Sequence, residues 1–406
     1  MKLEKSGRWA SMGDEGKGKI VTYLSRYHDI VVRYSGGSNA GHTVVYPDKE
    51  TVHHLIPSAD LRRNLKMFIA QGVVVDPDVL LEELSEMEGM FPGSRKNLLI
   101  SKQAHLVLSF HKEIDRVLDE NLGIGTTRRG IGPSYIDRVA RIGIRIEDLE
   151  DEGHLLSKLK KSAFLKERVF GLKIEIEKIL KNLTSFFEEI SENVIDTLGF
   201  KKTLRESSVL FEGTQGVLLD LDAGTYPFVT ATNCSSTGVQ TGVGFPVEID
   251  EVVGVFKAYT TRVGEGPFPT EEKGEMGEEL RRRGKEYGAT TGRPRRCGWL
   301  DLPLLRYAVE VSGASALALT KVDVLSGMER IKVCVSYRMK GKIVSVPASL
   351  KNLENVEPVY EEIRGWKSLN TREFDRFLDF IEREVGCKIK YISTGPGVDE
   401  IVEIGG

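Results

Sequence analysis

Short apolar runs bounded by glycine and polar residues punctuate the chain: Ile30-Val31-Val32, Met67-Phe68-Ile69, Leu98-Leu99-Ile100, Val209-Leu210-Phe211, Val252 to Phe256 and Ala316 to Leu319. Runs this short predict buried strands. Helical patterns lie between several of them, and that alternation predicts an α/β fold with a mainly parallel central sheet and flanking helices. Residues 151–206 differ, being rich in Lys, Glu and Leu with a helical period and no strand signal. There Leu172, Ile176, Ile179 and Leu183 share one helix face, so the segment reads as a helical insertion. Residues 331–346 predict a small hairpin turning near Lys340-Gly341. Asn370 with Glu373 has the spacing of a capping box, opening a helix that stops at Gly386. With no repeat and no low-complexity linker, residues 1–406 read as one elaborated domain.

Composition narrows the function classes. Hydrophobic residues make up 40% of the 406 and charged residues 29%, the balance of a soluble globular protein. A net charge of -3 offers no basic excess to hold nucleic acid. Cys234, Cys297, Cys334 and Cys387 are scattered without a C-x-x-C pair, which disfavours a zinc site or disulfide framework and fits a reducing compartment. No apolar run has the length of a membrane span, and Met1 to Lys5 lack a signal-peptide core. The expectation is a cytoplasmic protein whose partners are neither membrane nor nucleic acid.

The chemistry concentrates in loops that follow the apolar runs. Gly13-Asp14-Glu15-Gly16-Lys17-Gly18-Lys19 has the phosphate-loop spacing G-x-x-x-x-G-K, which makes the expected sheet P-loop GTPase-like. Ile20 replaces the Ser or Thr whose hydroxyl normally ligates Mg²⁺, and a carboxylate, Asp14, lies inside the loop. A carboxylate beside polyphosphate requires an intervening cation or a chemical task. The second loop, Gly36-Gly37-Ser38-Asn39-Ala40-Gly41-His42-Thr43, lets backbone approach a ligand and ends on a histidine. A structural histidine in a tight loop is the plainer reading of that segment taken alone. Ala316 to Leu319 deliver Thr320-Lys321-Val322-Asp323 at a strand's C-terminal end, where ligands bind in open α/β sheets. A carboxylate there can accept from N1–H and the 2-amino group of guanine, and adenine lacks that donor pair, so the site favours GTP over ATP. Thr290-Thr291-Gly292-Arg293-Pro294-Arg295-Arg296 suits bidentate binding of carboxylate or phosphate, whereas Arg281-Arg282-Arg283 reads as solvated surface. Gly125-Thr126-Thr127-Arg128-Arg129-Gly130, with Arg141 beyond, is a further Thr/Gly/Arg loop. Glu212-Gly213-Thr214-Gln215 presents an amide, able to read a base edge or to tie down a turn, and Ser393-Thr394-Gly395 follows another apolar segment. So many loops exceed what one nucleotide needs, which favours a GTP-driven ligase over a bare GTPase switch.

Assembled in order, these segments resemble the adenylosuccinate synthetase family from about Gly13 to Gly395. The likeness rests on residues 13–19, 39–43, Gly-Ile-Gly-Pro at 130–133, 211–216, Gly-Thr-Tyr-Pro-Phe-Val-Thr at 224–230, 289–293, 320–323 and 393–396. It implies ligation of IMP and L-aspartate to adenylosuccinate through a 6-phosphoryl-IMP intermediate, with GTP as co-substrate and Mg²⁺ as cofactor. The resemblance assigns Asp14 as the base for N1 of IMP and as a Mg²⁺ ligand with Gly41, and His42 as the acid. By the same carry-over, GTP meets Gly13, Glu15, Gly16, Lys17, Gly18, Lys19, Gly41, Thr43, Arg295, Lys321, Val322, Asp323, Ser393, Thr394 and Gly395. IMP meets Asp14, Lys17, Asn39, Ala40, His42, Thr127, Gln215, Thr230 and Arg293, with Arg141 reaching it across a homodimer interface. Aspartate falls to Ala289, Thr290, Thr291, Gly292, Arg293 and Arg295.

Two segments depart from the family pattern. Upstream of Gly13 the family usually has a Val-rich strand and Gly-x-Gln-Trp; here Trp9 and Ser11-Met12 occupy those places and the apolar character is nearly gone. The sequence therefore does not establish a first strand. Arg128 stands where Thr-Gly-Arg usually has glycine. Two other functions stay open on the residues alone: a GTP-binding regulatory protein without ligase chemistry, and a ligase joining a related purine nucleotide to another amine. Composition also predicts mobile loops at 36–43 and 125–132 before substrates arrive.

Overall fold

A computed structural model describes residues 6–9, 15–205, 207–288, 292–347 and 349–404, the first four by backbone alone. Ten strands form the central sheet. In spatial order they are Ile401–Glu403, Ile389–Ser393, Ala316–Thr320, Val252–Lys257, Ser6–Trp9, Val209–Glu212, Ile30–Arg33, Lys66–Ile69, Leu98–Ser101 and Val194–Ile195. Every pairing is parallel except that of Ile401–Glu403, which closes one edge antiparallel. Each predicted apolar run lies on one of these strands.

The strands lack a polar face because both faces are covered. Alternate residues of one strand serve different cores, as the two-residue side-chain period requires. Val31, Met67, Ile69 and Ile100 pack with the helices α1 (Lys17–Ser25), α2 (Pro77–Met90) and α3 (Ser109–Leu122). Ile30, Val32, Phe68, Val209 and Phe211 face the opposite way, against Phe200, Leu204, Val239 and Val243. The same split divides Val253 and Val255 from Phe256, Leu317 and Leu319.

The weakly patterned segment Ser6–Trp9 occupies the centre of the sheet. Ser6 and Gly7 register with Phe211 and Glu212 on one side, and Ser6 to Trp9 with Val252 to Val255 on the other. A central strand has a ladder on both edges, so backbone hydrogen bonds can hold it where side-chain pattern is poor.

Three expectations need correction. The insertion is mainly helical, with α4 (Ile131–Ala140) before it and α5 (Glu152–Phe170), α6 (Ile176–Ile190) and α7 (Thr197–Leu204) within it. Yet Val194–Ile195 forms a short edge strand on Leu98–Ser101. Leu172 lies before α6 and packs on the same core from the loop, while Leu180, Leu183, Phe186 and Ile190 are the buried residues of the helix itself. The late helix, Arg372–Val385, is capped by Thr371 rather than Asn370, since the Thr371 side chain accepts from the Phe374 N–H. Its stop at Gly386 and the hairpin turn after Met339 fall where the pattern puts them. All four cysteines are buried and free. Among the described residues no helix is long and apolar enough to cross a membrane.

Candidate active site

The expected site loops converge because each follows the C-terminal end of a parallel strand. Residues 10–16 follow Ser6–Trp9, Asn39 to Thr43 follow Ile30–Arg33, Gln215 follows Val209–Glu212, Lys321 to Asp323 follow Ala316–Thr320, and Thr394 follows Ile389–Ser393. The central strand's partners both lie far from it in sequence, and its C-terminal end opens on the crevice typical of such sheets.

Gly13 and Asp14 lie outside the described residues, as do Ala289, Thr290 and Thr291. From Glu15 onward the phosphate loop is defined. Gly16 takes a left-handed conformation (φ 84) at the N-cap of α1, and the N-terminal end of a helix favours an anion. Thr320, at the end of Ala316–Thr320, ties the loop to the sheet, donating to the Glu15 carbonyl at 2.6 Å. Glu15 is buried and pairs with Lys17 at 3.0 Å, and Lys17 also donates to the Gln215 carbonyl at 2.9 Å. Lys19 points elsewhere, donating to Ser393 Oγ at 2.8 Å and to the carbonyls of Gly395 and Glu400 at 2.6 and 2.7 Å. Burial pulls its ammonium down to about 8. The two lysines of one motif thus serve two loops.

His42 begins a strand of the hairpin His42–Val45 and Glu50–His53, packed directly on α1. A Cβ at Gly18 would lie 2.9 Å from His42 Cβ and 3.4 Å from the Thr43 carbonyl oxygen, so only glycine permits this approach. His42 Nδ1 lies 2.5 Å from Glu212 Oε1 and 3.2 Å from Ser58 Oγ. Glu212 also accepts from the Ser58 N–H at 2.9 Å and the Ser58 hydroxyl at 2.7 Å. Burial opposes ionisation of Glu212, but His42, Arg33 and Ser58 hold its carboxyl down at about 2. An ionised Glu212 puts the imidazole proton on Nδ1. Burial pushes the His42 imidazolium below its usual range, against the pull of Glu212. Nε2 is buried and has no hydrogen-bond partner among the described residues.

Glu212, Arg33 and Ser58 escaped the sequence reading. Their signal was a charge closing a wholly buried apolar strand: Glu212 and Arg33 register with one another at the ends of adjacent strands, each fully buried. Gln215 and Asn39 are brought together, the Gln215 amide donating to Asn39 Oδ1 at 3.2 Å. Ala40 accepts from His54 Nδ1 at 2.6 Å.

A second cluster surrounds Glu286. This fully buried carboxylate meets Lys257 at 3.0 Å, the Tyr259 hydroxyl at 2.5 Å and Arg295 at 2.6 Å. Burial opposes ionisation there too, yet Lys257, Arg295 and Lys321 keep the carboxyl down at about 2. Glu286 and Gly288 pair through backbone with Arg295 and Arg293. Lys321 donates to the Gly284 carbonyl at 2.9 Å, and Asp323 is exposed in the first turn of a short helix. The Arg281-Arg282-Arg283 run is only partly solvated. Arg282 is 73% exposed, but Arg283 donates to the carbonyls of Val324 and Ser326, bracing the segment behind Asp323. Thr127, Arg141 and Thr230 lie on separate loops and make no hydrogen bond to the His42 cluster among the described residues.

With this geometry in view, comparison with known proteins is direct. Residues 9–402 match the family model of adenylosuccinate synthetase. The chain is 59% identical to the adenylosuccinate synthetase of Thermotoga maritima, covering 97% of this chain and 98% of that one. It is 54% identical to that of Pseudothermotoga lettingae, covering 97% of each. Its structure resembles fully ligated adenylosuccinate synthetase from Plasmodium falciparum at a TM-score of 0.94 and 34% identity, over 100% of both chains. The succinoaminodeoxyadenylate synthetase of cyanophage S-2L, at 20% identity and a TM-score of 0.67, shares the fold. The chain belongs to the adenylosuccinate synthetase family, GTP-dependent ligases that join IMP to L-aspartate in AMP biosynthesis.

Proposed function

We propose that ligation proceeds in two steps, with phosphoryl transfer from GTP to the 6-oxygen of IMP preceding displacement of that phosphate by the aspartate amine. The 6-oxygen is a poor leaving group until phosphorylated, and it becomes nucleophilic as N1 loses its proton. Asp14 is the base for that proton. His42 is the acid, and the Glu212–His42–Ser58 network is the observation that carries this reading. Glu212 fixes the Nδ1 proton and stabilises the imidazolium, which leaves Nε2 to hold a proton toward the 6-oxygen. Lys17, beside Gln215, and the N-terminal end of α1 offset phosphoryl charge. Asn39 and Gln215 meet IMP, as do Ala40, Thr127, Thr230 and Arg293.

On the GTP side, Asp323 and Lys321 read the guanine and Ser393 to Gly395 border the same nucleotide, supported by the Lys19 bonds to that loop. Arg295 serves the nucleotide and aspartate together, with residues 289–293 holding the aspartate carboxylates. Mg²⁺ fits the donor set: Asp14 and the Gly41 carbonyl offer hard oxygen ligands, and His42 and Thr43, next to Gly41, lie against the start of α1. No cluster of three or more His, Cys, Asp or Glu side chains competes for a metal among the described residues. When bound, Mg²⁺ supplies charge neutralisation at the phosphates.

We further propose a single-domain, cytoplasmic enzyme working as a homodimer. The support for pairing is α4, which exposes Ile136 and Val139 at 57% and 79% just before Arg141.

The test uses GTP carrying ¹⁸O in its β–γ bridge, with IMP present and aspartate omitted. Reversible phosphoryl transfer scrambles the label. Asp14→Asn should abolish scrambling while GTP binding survives. Scrambling without IMP, or undiminished in Asp14→Asn, overturns the reading.

A further inference from the structure

Arg128 occupies a left-handed backbone conformation (φ 56), a region that suits glycine and costs an L-residue energy. Something must offset that cost, and the side chain shows what. After Gly123 the chain folds back along α3. Asp115 and Asp119 stand one turn apart on one face of that helix and grip the returning loop. Asp119 Oδ1 accepts from the N–H groups of Gly125 and Thr126, both at 2.8 Å. Asp115 accepts from the Thr126 hydroxyl at 3.0 Å and the Gly130 N–H at 2.8 Å. The Thr126 hydroxyl accepts in turn from the Arg128 N–H at 3.2 Å. Between these fixed points the Arg128 side chain turns back, its Nε 3.0 Å from Asp119 Oδ2 and its Nη1 3.5 Å from Glu120.

The Asp119 carboxylate is therefore shared between the loop's backbone and its central side chain. Asp119 is nearly buried while Arg128 is 41% exposed, so the arginine closes the carboxylate off from solvent. Thr127 sits between two residues that are each bonded to this pair of aspartates, directly or through Thr126.

We propose that Arg128 is a positioning residue that pins the Gly125–Gly130 loop to α3 before IMP arrives, presetting Thr127 for the nucleotide. The inference rests on Thr127 as an IMP contact. Glycine at position 128 would relieve the backbone strain but release the loop. This chain spends strain and a charge to order the loop in advance, so less conformational entropy is lost on binding. The arginine works on the protein rather than on the substrate, and this makes it separable from a direct phosphate contact.

The test combines amide hydrogen exchange on the ligand-free protein with IMP kinetics for Arg128→Gly, Asp119→Asn and the double variant. Arg128→Gly should expose the 124–130 amides, with IMP restoring protection and exchange elsewhere unchanged. KM for IMP should rise about fivefold, the scale of one ion pair, with kcat within twofold. Asp119→Asn should do the same, and the double variant should add little, because the two side chains act as one unit. Wild-type exchange in Arg128→Gly overturns the proposal. So does a raised KM in Arg128→Gly alongside a lowered one in Asp119→Asn, since freeing Arg128 would then have improved a direct contact. Thr127→Ala separates the premises: an unchanged KM there removes Thr127 from the IMP site, while the exchange result still decides the anchoring.

Discussion

Replacing Glu212 with glutamine tests the heart of the site with nearly no change of volume. The carboxylate accepts from His42 and twice from Ser58, and it shares a register position with the buried Arg33. An amide keeps one acceptor but turns the other into a donor, so the group facing Nδ1 no longer stabilises an imidazolium. A carboxyl displaced from 4.5 to about 2 carries a preference for its ionised form of on the order of 3 kcal/mol. Because the displacement is downward, that stability is fully present above pH 4.5 and is lost as pH falls toward 2. A cooperative chain of 406 residues has an unfolding entropy near 0.85 kcal/mol/K at roughly 2.1 cal/mol/K per residue, so Glu212→Gln should lower Tm by about 4 °C. Turnover should fall by about 10²- to 10⁴-fold, the usual worth of a positioned acid. The pH optimum should move lower, since His42 without its anion loses its proton earlier as pH rises. Calorimetry, GTP and IMP binding by titration, and product formation across pH check all three. A variant that folds, binds both nucleotides and turns over within threefold of the parent on an unmoved pH profile would falsify the assignment of Glu212 to His42.

Three further outcomes follow from the same geometry. Asp323→Asn should shift preference from GTP toward XTP, because an amide can donate to a 2-oxo group; unchanged competition between the two nucleotides removes Asp323 from the base. Gly18→Ala places a methyl 2.9 Å from His42 Cβ, and should cut kcat at least about tenfold by displacing the histidine, with activity at parental level showing that the hairpin can yield. Glu286→Gln leaves Lys257 and Arg295 buried around a neutral amide; it should cost about 3 kcal/mol or more of stability and raise KM for GTP. The parent's Glu286 contribution, present above 4.5 and lost as pH falls toward about 2, should be missing from the variant's stability curve.

What was legible in the sequence follows from range. Apolar runs such as Val31-Val32 and Leu317 to Leu319 announce themselves because both faces of their strands are buried. Val194–Ile195 is too short to interrupt a helical period, and Ser6–Trp9 is held by ladders contributed from residues about 200 to 250 positions away. The phosphate-loop spacing is local, so it can be read directly. The destinations of Lys17 and Lys19 are not local, and only the fold separates Gln215 from Ser393 as their partners. Glu212 and Arg33 share that difficulty, since each looks like an ordinary charge until strand register sets them side by side. Thr371 and Asn370 are both competent caps, and one residue of backbone geometry decides between them.

The placement of Val209–Glu212 between Ser6–Trp9 and Ile30–Arg33 has a consequence for biogenesis. The two earliest strands do not touch; they are bridged by one made roughly 180 to 200 residues later. At about 5 to 20 residues per second, a ribosome leaves both strands without their shared neighbour for some 10 to 40 seconds. Through that interval the N-terminal third cannot close its own sheet, and its apolar strands stay open to other chains. The catalytic crevice is thus among the last features the nascent chain can form, and slowing translation before residue 209 should burden the yield of soluble enzyme more than slowing it afterwards.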